Sequence, residues 1–320
     1  MDWKDKPIFL VIDSTMGPRR RQLLPLFAQS TIEGGCAVSI HPLACVDSEA
    51  RLGVGVQVEA FARIEGNASL GDYCIVRTGA VIKAGVRAGC HNEFCEHAVI
   101  GGPPQHAARP TDIGSVEIGD HNVFREGVTI HVGLKPENNT RVGDHNYIMA
   151  GGHLGHDVVL GNNVIFANGS MLGGHVTVED RAFISGGVAV HQFCRVGRLA
   201  MVGGHARVVQ DIPPFMMVDG ISGCIVGLNT VGLRRSGHTT AEINELKAAY
   251  RVIYRHGLAW REVIATLKEE CPKGPASYLA EFLATGSRGF AQERRGPAVP
   301  TIKLRVPDEE EPVVLRAKAG

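Results

Sequence analysis

Every sixth residue from Ile40 to Val208 gives 29 positions, and 25 of them are Leu, Ile, Val or Phe. Glycine often occupies the next slot, as at Gly53, Gly71, Gly89, Gly119, Gly143, Gly161, Gly173 and Gly203. Neither an α-helix, with 3.6 residues per turn, nor a strand, with its alternation of two, produces this period. It suits a chain that turns a corner every six residues, with one apolar side chain pointing inward per side and small residues at the bends. His106, Asp112 and Pro136 break the pattern, and they fall in "GPPQHAARPTDIGS" (102–115) and "GLKPENNTR" (133–141). Both stretches are polar or proline-rich and are expected to loop out of the prism. Loops on a rigid scaffold are where binding residues concentrate.

Beyond Val208 the spacing becomes helical. "TTAEINELKAAYRVIYRHG" offers Thr239 and Glu242 as a capping box, a stripe of Ile243, Leu246, Tyr250 and Ile253, and Gly257 as a stop. Two further helices are expected around 259–270 and 276–285. The sequence therefore divides into an N-terminal extension (1–38), the repeat domain (39–222, with the two loops), a C-terminal helical domain (223–290) and a proline-rich, charged tail (291–320). "KPIFLVID" in the extension reads as a stray strand.

Composition excludes several functions. With 33 basic and 33 acidic residues the chain has no net charge, which gives a nucleic acid nothing to bind. The N-terminus lacks a signal-peptide pattern and no segment has the roughly 18 apolar residues of a membrane span, so the chain reads as cytoplasmic, without stable membrane insertion. Eight cysteines include no C-x-x-C pair. Disulfide frameworks and zinc ribbons are therefore not expected, and most of the thiols read as small buried residues.

"GGHLGHDVVLG" (151–161) places two histidines three apart and an acid after the second. With three six-residue sides to a coil, as in the hexapeptide-repeat proteins that this repeat resembles, residues 18 apart stack one coil above another, separated by roughly 4.8 Å. Gly174 then lies above His156 and Gln192 above Gly174, while His175 lies above Asp157 and His191 above Gly173. His156, His175 and His191 are thus expected on one face of three successive coils, with His153 at the adjacent corner. Outward positions of such a prism are polar in any case. The acid beside His156 and the glycine above it favour function over decoration.

The repeat resembles that of hexapeptide-repeat proteins, which implies an all-β left-handed parallel β-helix with three faces and 18 residues per coil, here followed by a small α-helical domain. More specifically "GHD", "GGHV", "AVHQFC" and "QDIPPF", in that order, with "EFLATGSRGF" at the end, resemble the UDP-N-acetylglucosamine O-acyltransferases of lipid A biosynthesis. The similarity runs from about Ile40 to about Phe290. It implies transfer of a 3-hydroxyacyl chain from acyl carrier protein to a hydroxyl of a UDP-N-acetylglucosamine-type nucleotide sugar, by a cytoplasmic homotrimer needing no metal and no cofactor beyond the carrier thioester. In that resemblance His156 is the general base, Asp157 orients it, and the Gly174 N–H receives the oxyanion. His153, His175, His191 and Gln192 contact substrate. Gln105 belongs to the first loop, Asn229, Gly232 and Arg235 to the nucleotide end, and Gly204 to a ruler of acyl length.

The chain departs from the family pattern at the acceptor. After Gln105 it reads His106, Ala107 and Ala108 where the family has an acid and a lysine, with Arg109 and Asp112 as candidate substitutes. Val231 stands where an acid is expected, Ser236 replaces an arginine, and Ile221 and Ser222 replace a polar pair. The residues leave other readings open: a related acyltransferase for another sugar or amino sugar, a zinc enzyme like the γ-carbonic anhydrases, and an inactive scaffold. Against zinc, His153 and His156 lack the H-x4-H spacing and no ligand set is evident.

Overall fold

The computed structural model describes residues 37–294, so the N-terminal extension up to residue 36, its "KPIFLVID" stretch included, and the tail from residue 295 lie outside the described residues. The remainder is a triangular prism wound left-handed. Three sheets, of eleven, nine and eight strands, form its faces. Parallel partners are 18 residues apart, as in Ser39 with Gln57, Cys45 with Arg63 and Arg51 with Ser69. At the two loops this spacing lengthens: Phe94 pairs with Phe124 and Phe124 with Ile148. The insertions are therefore twelve and six residues long, which is why the hexad frame survives them.

Each side of a coil turns two residues inward. The frame residues, such as Val58, Ile64, Ile82 and Ile100, are fully or almost fully buried, and so is a second set two positions earlier, Val56, Ala62, Ala68, Cys74 and Ala80. This second set is mostly small. A triangular cross-section has no room for two large side chains on every side, so the large ones stack along the axis, as Phe94 does on Phe124 at 5.2 Å with ring planes 4° apart. Three asparagines share the interior and bond from coil to coil: Asn122 N–H donates to Asn92 Oδ1 and Asn146 N–H to Asn122 Oδ1, both at 2.9 Å. The Asn92 and Asn122 amides and the Asn146 Oδ1 find backbone or amide partners, whereas the buried Asn146 Nδ2 has none among the described residues.

The corners need left-handed backbone. Asn67, His91, Asp157 and His175 all have φ between 56° and 61°. Asn, Asp and His tolerate this region better than branched side chains do, so the corners collect the residue types that can also do chemistry.

At the C-terminal end the strand Ile225–Leu228 joins the first sheet antiparallel to Met216–Val218. A division at 222/223 would therefore separate two paired strands of one sheet. Four helices follow: α1 (Thr230–Arg235), α2 (Thr240–Tyr254), α3 (Trp260–Glu270) and α4 (Pro275–Ala284). The Thr239–Glu242 capping box is present at α2. The short helix α1 has no counterpart in the sequence reading, because six residues are too few to show an apolar stripe.

Arg195 fastens the helices to the prism. Its Nε donates to Asp211 Oδ2 at 2.8 Å, its other nitrogens reach Thr285 Oγ1 and the Phe282 carbonyl, and its guanidinium lies 4.0 Å from the Phe282 ring centroid. Asp211 is buried, and among the described residues Arg195 is its ion-pair partner. No helix among the described residues is long and apolar enough to cross a membrane.

Candidate active site

The histidines meet at the corner where the second face turns into the third, and His153 lies on the strand His153–Leu154 that leads into it. This reverses the expected placement of His156, His175 and His191 on a flat face with His153 at a corner. The reason is the turn: the frame residues Leu154, Leu172 and Val190 end their strands, so the three residues after each stand at the bend. The stacking order is as expected, because Leu154 pairs with Leu172 and Leu172 with Val190. Asp157, His175 and Phe193 share the left-handed slot, and the rings of His175 and Phe193 stack at 4.6 Å.

His156 Nδ1 and Asp157 Oδ2 are 2.6 Å apart. A carboxylate oxygen accepts, so the proton of a neutral His156 sits on Nδ1 and Nε2 keeps its lone pair. Asp157 is itself held from two sides: its N–H donates to Thr140 Oγ1 at 2.8 Å, and Leu134 N–H donates to its Oδ2 at 3.1 Å. Both partners come from the second loop and the strand Asn139–Val142 after it. The excursion at 133–141 thus fixes the acid that fixes the histidine. Its neighbour His175 has Nε2 at 3.6 Å from the same oxygen.

Gly174 lies against the His156 ring. A Cβ there would sit 2.6 Å from both Nε2 and Cε1 of His156, so the lone pair is accessible only because residue 174 has no side chain. The Gly174 N–H has no acceptor among the described residues. A bare imidazole nitrogen and a free backbone N–H side by side are what proton abstraction and oxyanion binding require.

The first loop closes over this corner. The His106 ring meets His156 edge-on at 6.2 Å between centroids, while Gln105, Arg109 and Asp112 are exposed in the same loop. His131, which the sequence reading did not single out, donates from Nδ1 to the Pro103 carbonyl at 2.6 Å and lies 5.1 Å from His153. The His153 Nδ1 pairs with Thr129 Oγ1 at 2.9 Å. Burial pushes His131, His153 and His175 below the usual histidine range, His131 adds to the effect at His153 and His156 adds to it at His175, while Asp157 opposes it at His175.

The remaining expected residues are distributed more widely. His191 and Gln192 are exposed one coil further on, and Arg288, another residue without a sequence signal, places Nη2 3.1 Å from His191 Nδ1. The Asn229 side chain is engaged at both ends: its Oδ1 accepts from Gly232 N–H to cap α1, and its Nδ2 donates to the Leu199 carbonyl. Arg235 and Val231 are exposed on α1, Ser236 donates to the Leu233 carbonyl, and Ile221 is 93% exposed. Gly204 lies at a different corner, where the first face turns into the second, and a Cβ there would have its nearest neighbour 3.4 Å away, the Gly186 carbonyl. One chain alone does not bring Gly204 and His156 together.

His156, Asp157 and His175 form the one group among the described residues whose side chains could ligate a metal. The 2.6 Å between His156 Nδ1 and Asp157 Oδ2 is the length of a charge-assisted hydrogen bond.

Residues 211–291 match the family model described as UDP-N-acetylglucosamine O-acyltransferase, domain 2, and residues 139–174 match the bacterial transferase hexapeptide repeat. The acyl-[acyl-carrier-protein]–UDP-N-acetylglucosamine O-acyltransferase of Herminiimonas arsenicoxydans is 39% identical over 260 residues, which cover 78% of this chain and 98% of the relative. The solved Francisella novicida UDP-N-acetylglucosamine acyltransferase superposes with a TM-score of 0.77 at 34% identity, covering 80% of this chain and 95% of that one. Its counterpart from Bacteroides fragilis gives 0.76 at 36% identity, covering 79% of this chain and all of that one.

Proposed function

The chain belongs to the UDP-N-acetylglucosamine O-acyltransferase family, and from that membership and the geometry at His156 we propose that it moves a 3-hydroxyacyl chain from acyl carrier protein to the sugar 3-hydroxyl of UDP-N-acetylglucosamine, the first step of lipid A synthesis. The observation that carries the chemistry is the His156–Asp157 pair, whose free Nε2 faces Gly174.

His156 Nε2 takes the hydroxyl proton as the sugar oxygen attacks the thioester carbonyl. The new C–O bond leaves the negative charge on the former carbonyl oxygen, and the Gly174 N–H holds it. Collapse breaks the C–S bond, and the proton on Nε2 goes to the departing thiolate, which restores the base. Asp157 accepts from Nδ1–H throughout and stabilises the imidazolium that forms between the two proton transfers. A thioester is already activated, so the reaction calls on no metal or further cofactor. Neutral His153 and His175 line the path without competing for the proton, and His191 and Gln192 serve as substrate contacts.

Gly204 and His156 lie on different edges of the prism, which supports a homotrimer in which each cleft takes its base from one copy and its acyl ruler from the next. Both proposed substrates, a carrier protein and a nucleotide sugar, support a cytoplasmic enzyme. The altered residues Ala108, Val231 and Ser236 bear on the strength of the acceptor contact, with Arg235 free on α1 to meet the nucleotide.

The test is turnover by the purified protein of 3-hydroxyacyl carrier protein with UDP-N-acetylglucosamine, followed by mass spectrometry of the nucleotide product. His156→Ala should lower the rate by roughly 10²- to 10⁴-fold while leaving the fold intact. Equal or better turnover of an amino-sugar nucleotide would move the acceptor, and full activity of His156→Ala would remove the base.

A further inference from the structure

Arg288 brings a cation to the acyl-transfer edge of the prism without an acid to match it among the described residues. Its segment is held against the last coils by the backbone. Asp211 N–H donates to the Gly289 carbonyl and Ala291 N–H to the Asp211 carbonyl, both at 2.9 Å, and the Phe290 ring is buried. The half-buried guanidinium thereby reaches His191, which stacks one coil beyond Gly173. Its Nη2 donates to the Val209 carbonyl at 3.3 Å and lies 3.1 Å from His191 Nδ1, while its Nε is buried with no hydrogen-bond partner among the described residues. The Cys194 thiol stands beside it: burial pushes that thiol up, and Arg288 works against the rise.

His191 Nδ1 also lies 3.1 Å from the Gln192 carbonyl. The two contacts demand opposite proton positions. A guanidinium only donates, so Nδ1 must offer it a lone pair, whereas a carbonyl only accepts, so Nδ1 would have to carry the proton. The guanidinium is permanently charged, and a charge-assisted bond is roughly twice as strong as a neutral one, so the Arg288 contact prevails. The proton of the neutral ring then sits on Nε2, which has no partner among the described residues on this exposed side chain. His156 is the reverse case: its Asp157 neighbour puts the proton on Nδ1 and leaves Nε2 bare.

We propose that Arg288 is a positioning residue that sets the His191 tautomer, so that His191 presents Nε2–H as a hydrogen-bond donor to an oxygen of the substrate. The inference rests on the acyl-transfer reading, in which His191 is a substrate contact. Along one edge of the prism a carboxylate makes one imidazole a base, and a guanidinium makes another a donor. With its outer nitrogen protonated, His191 does not compete with His156 for the hydroxyl proton.

The tautomer is read by long-range proton–nitrogen NMR of the full chain carrying nitrogen-labelled histidine, at about pH 8.5, above the ordinary imidazole range, with His191→Gln identifying the signal. The starting protein should show a protonated Nε2 and a bare Nδ1. In Arg288→Met the Gln192 carbonyl is the partner left to Nδ1, and the proton should move there in at least part of the population. Arg288→Lys keeps a charged donor and should hold the proton on Nε2. In turnover, Arg288→Met should raise the KM of one of the two substrates by about 10-fold with a smaller change in kcat, and Arg288→Lys should recover most of the loss. A purely structural Arg288 would lower the melting temperature without moving the ring proton. A bare Nε2 in the starting protein, an unmoved proton in Arg288→Met, or an unchanged KM for both substrates overturns the proposal. The spectra need no turnover, so a failure of the acyl-transfer reading, seen as no product from the starting protein, is told apart from a failure of the Arg288–His191 pair.

Discussion

The backbone N–H of Leu134 donates to Asp157 Oδ2, the same oxygen that accepts from His156 Nδ1. A loop inserted one coil below the base is therefore part of its support. Asp157→Asn keeps the shape of the side chain but removes the charge. Its amide can also turn an N–H towards Nδ1, which would put the ring proton on the reactive Nε2. The rate constant kcat should fall by roughly 10²- to 10⁴-fold, with KM for the nucleotide sugar nearly unchanged. Steady-state kinetics decide it, and a loss confined to KM would make Asp157 a binding residue.

Gly174→Ala tests the contact above the base. The backbone at residue 174 is in a region open to alanine, so the substitution introduces no strain of its own. The added methyl must share space with His156 Nε2, since the ideal positions are 2.6 Å apart. The ring has to turn away, and a displacement of about 1 Å at a reacting group can cost about 10²-fold in rate. We expect that loss with unchanged thermal unfolding. Wild-type turnover would mean that the Gly174 edge of the ring faces away from the acceptor.

The histidine frame could be read from the sequence because a prism of three flat sides imposes one large apolar residue every six. What the sequence concealed follows from chemistry without a residue signature. Leu134 acts through its N–H, which any residue but proline supplies. His131 falls in an otherwise ordinary hexad, and only the path of the first loop brings Pro103 to its ring. Arg288 reaches His191 from 97 residues away. The misplacement of the histidines on a face has a simpler cause: the period gives the length of each side but not where along each hexad the bend falls. The three residues after a frame position already belong to the corner.

Burial depresses His131, His153 and His175 below their value in the unfolded chain, so the unfolded state binds more protons as the solution is acidified. The stability they contribute is complete above about pH 6.5 and is lost as the pH falls below it. Urea unfolding at pH 7.5 and pH 5.5 should show a lower midpoint at the acid value. In His131→Asn the Nδ2 can replace the donor to the Pro103 carbonyl but cannot titrate, so the acid-side loss should shrink. An identical pH dependence in that variant would place the acid sensitivity elsewhere.

Gly204 supplies the last test, because its proposed role as acyl ruler can be separated from the chemistry at His156. It lies at the first corner, near Met201 and His205, where a Cβ would stand in ordinary contact, 3.4 Å from the Gly186 carbonyl and 4.0 Å from the Ser185 Cβ. With no side chain in the groove, a long donor of the 3-hydroxytetradecanoyl kind should be preferred over a ten-carbon one. Each buried methylene is worth about 0.8 kcal/mol, so four more carbons contribute on the order of 3 kcal/mol before the cost of ordering the tail. Gly204→Met fills that space and should shift the preference towards shorter donors. Turnover should persist, since His156 and Gly174 occupy another edge. Mixed trimers of Gly204→Met and His156→Ala chains extend the test. If ruler and base come from different copies, one kind of cleft in the mixture pairs an intact base with an intact ruler, and long-donor activity should reappear. Each variant alone should turn over long donors poorly, so failure of the mixture to exceed the sum of the two would place ruler and base in the same copy.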